Sequence, residues 1–218
     1  PFVPKKQAQG YLTVLKELEV INKLLGGFSV FYHAFKKIKL ANGDLICDWG
    51  CGGGDSLLAL RNRFKKKNLN LKYLGLDATK TAVEFAKHHH LNYQEITFKE
   101  VDVLKEKFEE NQYNVVISSL FTHHFEDEDW IKLIQRMVFS AKKAVIINDL
   151  HRHPLAYYSI AFLTQIFSKS YMVKHDSKVS VLRSFKRQEL KNLLALAGVK
   201  NYTIKWMWAF RWQIIIYT

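Results

Sequence analysis

A glycine-rich loop flanked by carboxylates is the strongest chemical signal in this sequence. The stretch Asp44–Asp55 reads DLICDWGCGGGD, so a short apolar run ends at Asp48 and passes directly into a G-x-G-x-G loop formed by Gly50, Gly52 and Gly54. Glycine lets the chain turn sharply and lets its backbone come close to a ligand. A nucleotide-type ligand is therefore expected at this loop.

The charges around the loop discriminate between nucleotide ligands. A pyrophosphate binds backbone N–H groups and avoids carboxylates, whereas this loop lies between Asp48 and Asp55. Its spacing also differs from the G-x-G-x-x-G pattern of dinucleotide-binding proteins. S-adenosylmethionine carries a cationic ammonium and a cationic sulfonium and has no phosphate, so it suits two neighbouring carboxylates. The loop therefore predicts S-adenosylmethionine as the cofactor.

Two further acids follow at intervals that fit the remainder of this cofactor. Asp77 ends the next apolar run, about 20 residues past the glycines, where a carboxylate can accept hydrogen bonds from both ribose hydroxyls. Asp102 follows the third apolar run, where it can accept from the adenine amino group. Each acid could instead cap a helix that follows it. Together with the glycine loop, cofactor contact is the favoured interpretation.

Alternating strands and helices must position these residues. The apolar runs predict five strands, Asp44–Asp48, Leu71–Asp77, Ile96–Val101, Asn114–Ser118 and Ala144–Asn148. The helices predicted between them are Ser56–Lys67, Thr81–His90 and Asp127–Ala141. Such alternation indicates a parallel sheet with right-handed crossovers. Tyr202–Trp206 and Arg211–Tyr217 are joined too closely for a crossover helix, so they predict a hairpin.

Helical segments are predicted at the N-terminus and after the fifth strand. Apolar residues at steps of three and four predict a helix that begins at Lys5 and ends at Gly26-Gly27. These residues are Leu12, Leu15, Leu18, Ile21 and Leu25. A second helix is predicted over Phe28–Leu40. The stretch His153–Met172 is apolar and rich in aromatic residues, and its part Tyr157–Tyr171 is interpreted equally well as core or as the roof of an acceptor pocket. A helix over Lys186–Ala197 ends at Gly198. We expect one domain, with a cap at 1–42, a cofactor-binding core at 43–149, and an insert with the hairpin at 150–218.

The order and spacing of these motifs resemble class I S-adenosylmethionine-dependent methyltransferases over almost the whole chain. The matching segments are DWGCGGGD, YLGLDAT, KEVDVL and NVVISSLFTHHFED. The resemblance implies an α/β fold with a Rossmann-like seven-stranded methyltransferase sheet. Its strand order would be 3-2-1-4-5-7-6, with the last strand antiparallel and an N-terminal helical cap. It also implies a methyltransferase that leaves S-adenosylhomocysteine as its product.

The segments that flank these motifs resemble a smaller group within this class. VINKLLGG, NDLHRHP and VLRSFKRQEL…AGV are similar to segments of small bacterial methyltransferases found beside type III polyketide synthases. This implies a role in secondary metabolism and a small phenolic, quinone-like or other aromatic acceptor, with O-methylation favoured over C-methylation. RNA or tRNA methylation, and a non-catalytic S-adenosylmethionine-binding module, stay open as alternatives.

The resemblance also assigns cofactor contacts by position. The residues of the methionine end are Asp48, Gly50, Gly52 and Gly54, with Cys51 in the same loop. Asp77 and Ala78 would hold the ribose, and Asp102 with Val103 the adenine. Ser118 and Ser119 would lie beside the cofactor, under an N-terminal cover over Leu12–Leu40 that contains Asn22.

A histidine is the expected base for a hydroxyl acceptor, because its pKa lies near neutrality. Four candidates lie near predicted strand ends, namely His123, His124, His151 and His153. His151 and Arg152 follow the fifth strand most closely, so we expect His151 to act as base or positioner and Arg152 as the partner of an anion or phenolate. The alternative for each is a hydrogen-bonded structural role. His88–His90 are expected at a solvated helix end.

The formal charge of +13 points towards anionic partners, but the basic residues are interleaved with acids and form no single block. We therefore expect a solvated basic surface rather than a nucleic-acid site. Peripheral membrane contact stays open, because His153–Lys174 mixes aromatic and apolar residues as an interfacial helix does. Cys47 and Cys51 lack a second pair of zinc ligands, so two reduced thiols, no metal and a cytoplasmic location are expected.

Overall fold

A seven-stranded sheet organises the computed structural model, which describes residues 22, 25–168 and 170–218. The strands are β1 (Leu45–Trp49), β2 (Lys72–Asp77), β3 (Ile96–Glu100), β4 (Tyr113–Ser119), β5 (Ala141–Leu150), β6 (Tyr202–Met207) and β7 (Arg211–Tyr217). The helices are α1 (Gly27–Ala34), α2 (Asp55–Lys65), α3 (Lys80–His89), α4 (Asp127–Ser140), α5 (Pro154–Phe167), α6 (Tyr171–Arg183) and α7 (Arg187–Leu196). A short 3₁₀ turn covers Thr122–His124.

The sheet has the order β3-β2-β1-β4-β5-β7-β6. Strands β1 to β5 pair in parallel, and β7 lies antiparallel between β5 and β6. The predicted order and the antiparallel last strand are confirmed. Only a short turn joins β6 to β7, so these strands must run in opposite directions.

Helices cover both faces of the sheet, which explains why its central strands are almost continuously apolar. On one face the core includes Phe31 of α1, Leu57 of α2 and Val83 of α3. On the other face it includes Trp130 of α4 and Leu190 of α7. Both faces are therefore closed, and ligands are left with the carboxyl edge of the strands.

Helix α1 is fastened to the strand edge by side chains of two neighbouring strands. Asn148 of β5 donates from Nδ2 to the carbonyl oxygen of Gly27 at 3.2 Å. Gln213 of β7 donates from Nε2 to the carbonyl oxygen of Val30 at 2.5 Å. These buried amides hold the helix beside the carboxyl ends of β4 and β5.

The predicted helices need correction at both ends of the chain. The helix expected over Phe28–Leu40 ends at Ala34, and Leu25 lies in a turn. Most of the helix predicted from Lys5 lies outside the described residues, as do Leu12, Leu15, Leu18 and Ile21. The aromatic stretch after β5 forms α5 and continues into α6, a helix that the sequence pattern did not reveal. Within the described residues, none of the helices is both long and apolar enough to span a bilayer.

Candidate functional site

The loop after β1 has a backbone that requires glycine. Gly50 and Gly54 have φ angles of 72° and 81°, in the left-handed region that side chains disfavour. A Cβ atom on Gly50 would lie 2.2 Å from the ring of Phe121. The N–H groups of Gly50 and Cys51 donate to the carbonyl oxygen of Leu76 at 2.8 and 3.0 Å, which fixes the loop to β2.

A hollow of about 140 Å³ opens at this loop. Its walls include Asn22, Asp48, Asp55, Phe85, Ser119 and Leu120. No lysine, arginine or histidine lines it among residues 22, 25–168 and 170–218, although the chain as a whole carries a formal charge of +13. The hollow is therefore locally acidic, and its size suits an amino-acid group rather than a complete nucleoside.

Two buried oxygen atoms in this hollow accept no hydrogen bond from the part of the chain that the structure describes. Asp48 is almost completely buried, and its Oδ1 accepts no hydrogen bond within the described part of the chain. Burial, and then the nearby carboxylates of Asp55 and Asp77, raise the pKa of Asp48 well above its usual value. Asn22 donates from Nδ2 to Asp55 at 3.3 Å, while its Oδ1 likewise has no donor from the described residues. Unpaired buried acceptors of this kind fit a cationic ammonium or sulfonium.

Asp77 ties the end of β2 to the glycine loop. Its Oδ2 accepts from the N–H of Gly52 at 3.0 Å, and its Oδ1 accepts from the N–H of Thr79 at 2.8 Å, at the start of α3. Asp77 therefore has a capping role as well as a contact with the loop. The neighbouring Ala78 is exposed.

Asp102 lies outside the glycine-loop hollow, at the edge of the sheet. Its carboxylate accepts from the N–H of Leu104 at 3.1 Å and from Lys105 Nζ at 2.9 Å. The hydrogen bond from Lys105 is the main reason why the pKa of Asp102 is lowered. A turn follows Asp102, not a helix, so the helix-capping alternative is wrong for this residue. Val103 is buried in the core, and its carbonyl oxygen accepts from Arg136 Nε at 2.8 Å.

The remaining cofactor candidates divide into lining and structural positions. Gly52, Cys51 and Ser119 line the hollow. Ser118 is fully buried and donates to the carbonyl oxygen of Trp49 at 2.9 Å, so it joins two strands. Cys51 and Cys47 are both free thiols, and burial raises the pKa of each. Among the described residues, no group of acids, histidines and cysteines could hold a metal ion.

The expectation of a solvated histidine cluster after α3 is wrong for His90. His88 and His89 are exposed, but His90 is buried. Its Nε2 lies 2.9 Å from the carbonyl oxygen of Gly53, and its ring packs against Phe98 with centroids 5.4 Å apart. His90 therefore supports the glycine loop from behind.

A second hollow, of about 570 Å³, is lined in part by residues of the segment after β4. Its lining includes His123, Phe125, Arg152, Arg183, Phe185 and Glu189. Ser119 and Leu120 line the first hollow, while His123 to Phe125 line the second, so the segment 119–125 borders both. Leu120 has a left-handed backbone with φ of 53°, a strained conformation for a leucine at the point where the segment leaves the strand.

A buried histidine–carboxylate pair lies in the wall of the second hollow. Nδ1 of His123 is 2.6 Å from Oδ1 of Asp149. The other oxygen of Asp149 accepts from Thr122 Oγ1 at 2.6 Å and from the N–H of His123 at 3.1 Å. Burial opposes ionisation of Asp149, but its contacts with His123 and Thr122 outweigh this and hold the pKa below its usual value. His123 Nε2 is buried and has no partner within the described chain.

His151 and Arg152 are adjacent in the chain but have different surroundings. The His151 ring packs between Trp212 and His153, with centroid distances of 4.6 and 5.4 Å, and burial lowers its pKa. Arg152 lines the second hollow, where its Nη2 donates to Oε1 of Glu189. Neither residue lines the hollow at the glycine loop.

Sequence reasoning passed over Asp149 and Arg211. Both are fully buried on neighbouring strands at the carboxyl edge. Arg211 Nη1 lies 3.4 Å from Asn148 Oδ1, and burial lowers the pKa of the guanidinium to about 10. The sequence did contain a signal for these two residues. They place an acidic and a basic side chain at the ends of otherwise apolar strands, where a buried charge is rare unless it has a partner or a function.

Comparison with known proteins agrees with this geometry. Residues 46–143 match the family model described as "Methyltransferase domain". No curated protein matches the sequence. A solved S-adenosylmethionine-dependent methyltransferase from Aquifex aeolicus has 15% identity and a TM-score of 0.67, over 100% of this chain and 99% of that one.

Two ligand-bound structures also share the fold. Human N-acetylserotonin methyltransferase in complex with S-adenosylmethionine has 19% identity and a TM-score of 0.65, over 94% of this chain and 54% of that one. Magnesium protoporphyrin IX methyltransferase from Synechocystis, with bound S-adenosylhomocysteine, has 16% identity and a TM-score of 0.53, over 100% of this chain and 88% of that one. At these identities the likeness concerns the fold.

The matched domain, the strand order and the acidic glycine loop together define a methyltransferase with a Rossmann-like fold. Residues 46–143 thus form a methyltransferase domain, and the protein is an S-adenosylmethionine-dependent methyltransferase with S-adenosylmethionine as its cofactor.

Proposed function

We propose that this methyltransferase acts on the hydroxyl oxygen of a small aromatic acceptor, which binds in the second hollow beside His123. The observation that carries the proposal is the buried His123–Asp149 pair. When bound, S-adenosylmethionine supplies a methyl group activated by its sulfonium. The protein must align the acceptor, exclude water and remove one proton.

Asp149 prepares His123 to accept that proton. A carboxylate at Nδ1 favours the imidazole tautomer that carries its proton on Nδ1, which leaves the lone pair of Nε2 available. The same carboxylate stabilises the imidazolium that forms when Nε2 takes the hydroxyl proton. Since Nε2 has no partner among the described residues, an acceptor hydroxyl would satisfy it.

The walls of the second hollow suit an aromatic acceptor. Phe125, Phe185, Leu193 and Leu196 supply apolar surface, and Arg152 and Arg183 supply cations. A few polar groups within apolar walls, in a volume of this order, are typical of small-molecule sites. The resemblance of the flanking segments to methyltransferases found beside type III polyketide synthases supports a phenol in particular.

The chain's own residues would hold the cofactor along the carboxyl edge. In this proposal Asp48 and Asn22 receive its cationic groups, Asp77 and Ala78 the ribose, and Asp102 with Val103 the adenine side. Three residues, Gly50, Gly52 and Gly54, let the backbone approach, with Cys51, Ser118 and Ser119 beside them.

His151 is the second candidate for the base, because its Nδ1 is buried without a partner in the described chain. None of the described residues gives it a carboxylate partner, which is why His123 is preferred. In this proposal Arg152, fixed by Glu189, faces an anionic group of the acceptor.

The test is a screen of phenols, alkylresorcinols and hydroquinones with S-adenosylmethionine labelled in its methyl group. Each product is digested with a reagent that cleaves aryl methyl ethers, which separates O-methylation from C-methylation. Label in an ether-type product supports the proposal. Label that appears only in C-methylated products, or only in RNA offered under the same conditions, contradicts it.

A further inference from the structure

An exposed apolar stripe runs along α5, away from both hollows. Leu155, Tyr158, Phe162 and Ile166 are all exposed, and Phe162 is 66% exposed. Their spacing of three and four residues places them on one side of the helix. The sequence of α5, PLAYYSIAFLTQIF, contains no charged residue. Large apolar groups left together on a surface mark a site of interaction.

The end of the β6–β7 hairpin extends this stripe. Trp206 and Trp208 are exposed, and Trp208 is 67% exposed. The Phe210 ring contacts Trp206 edge-on, with centroids 6.3 Å apart, and stacks on His153 at 5.5 Å. His153 is the N-cap of α5, so these rings connect the hairpin to the helix. The aromatic face comprises Leu155, Tyr158, Phe162, Ile166, Trp206 and Trp208.

The segment that contributes most of the aromatic face is rich in basic residues. Residues 151–187 contain seven lysines and arginines and one acid, Asp176. Lys174 and Lys178 lie four residues apart on α6, which packs beside α5. An uncharged aromatic centre with cationic flanks is the pattern that binds anionic bilayers, because apolar rings enter the interface while cations attract the headgroups.

We propose that the aromatic face docks on an anionic membrane surface. A second copy of the chain is a poorer occupant, because two inserts with the same strong positive charge would repel each other across a shared interface. The face follows the end of β5 and includes the end of the hairpin, so docking would bring the enzyme next to acceptors dissolved in the bilayer. The proposal does not depend on the acceptor's identity or on the base.

The experiment is co-sedimentation of the full chain with two kinds of vesicle. One is phosphatidylcholine alone, and the other contains phosphatidylcholine and phosphatidylglycerol in about a 3:1 ratio. We expect the protein to sediment with the anionic vesicles and to stay in solution with the neutral ones. Phe162→Ser with Ile166→Ser should lower the bound fraction about tenfold, and Lys174→Glu with Lys178→Glu should do the same.

Matched controls come from exposed apolar residues elsewhere on the surface. Leu91 and Phe139 are 72% and 51% exposed and line neither hollow, so Leu91→Ser with Phe139→Ser removes a similar apolar area and should bind vesicles like the wild type. S-adenosylmethionine affinity and melting temperature should stay unchanged in every variant, which separates docking from folding.

Three outcomes would overturn the proposal. The first is no sedimentation with anionic vesicles. The second is equal binding by the Phe162→Ser, Ile166→Ser variant. The third is a dimer in light scattering that this variant abolishes, which would assign the face to a second copy of the chain.

Discussion

The N–H of Gly52 donates to Oδ2 of Asp77 at 3.0 Å, so one carboxylate connects the glycine loop to the end of the neighbouring strand. The other oxygen of Asp77 is used at the start of α3. Loop, strand and helix are thus joined through a single side chain at the place where the cofactor's ribose is expected.

Replacing Asp77 with alanine should weaken S-adenosylmethionine binding by about 1–3 kcal/mol, because a charged acceptor is lost and the N–H of Gly52 is left without its partner. Calorimetry measures the affinity and thermal unfolding the stability. Glu100→Ala, at the exposed end of β3, is the matched control and should change neither. Normal affinity combined with a lower melting temperature would make Asp77 a helix cap alone.

Asp48→Asn should stabilise the protein without cofactor and weaken the complex. The pKa of Asp48 is higher in the folded state than in the unfolded state, where it is about 4. The free energy of unfolding therefore falls as the pH rises from the unfolded-state pKa through the folded-state pKa. The asparagine variant should lack this loss of stability and melt at least about 2 °C higher than wild type near neutral pH. Its affinity for S-adenosylmethionine should fall by about 1.5–3 kcal/mol. Melting curves recorded across the acidic range, with and without cofactor, check both signs.

His123→Asn should reduce kcat by about 10²–10⁴-fold while S-adenosylmethionine affinity stays near that of wild type. A nitrophenol that is already ionised near neutral pH needs no base, so the variant should lose far less turnover on it. His151→Asn serves as the comparison and should retain most activity, both on a phenol that is un-ionised near neutral pH and on the ionised nitrophenol. If His151→Asn shows the selective loss instead, the base is His151.

His90→Ala should lower stability by about 1–3 kcal/mol, since the carbonyl oxygen of Gly53 loses its buried partner and the ring of Phe98 loses contact. Cofactor affinity should fall with it, because the loop is supported from that side. His88→Ala removes an exposed imidazole from the same helix end and is the control. Urea unfolding and calorimetry on the pair measure the difference, and equal behaviour of the two variants would refute a supporting role.

The periodic parts of this chain were predictable, and the site was predictable only where a local motif marked it. Strand β7 was predicted at Arg211–Tyr217 and found there, because an apolar run bounded by a tight turn leaves little choice. The Asp48 to Gly54 loop was predictable for the same reason, as strand end, acid and glycines adjoin in sequence.

Contacts between distant segments could not be predicted in this way. His123 and Asp149 are 26 positions apart, and only the register of β4 beside β5 brings them together. The local sequence predicts three solvated histidines at the end of α3. The burial of His90 against Phe98 depends on how β3 packs beside the loop, which the local sequence does not show. Helix α6 was missed since its apolar residues show little segregation to one face.

The segment 119–125 lines both hollows, so any shift in its position would link the two binding events thermodynamically. Suppose that a ligand in one hollow shifts Leu120 or Phe121 and thereby changes the free energy of binding in the other hollow. A ligand in that other hollow must then change the free energy of binding in the first by the same amount. An acceptor that tightens cofactor binding must itself be bound more tightly by the cofactor-loaded enzyme. After methyl transfer, a methylated product that stays in the second hollow would then slow the release of S-adenosylhomocysteine. The position of this short segment would therefore influence the order in which the two products leave.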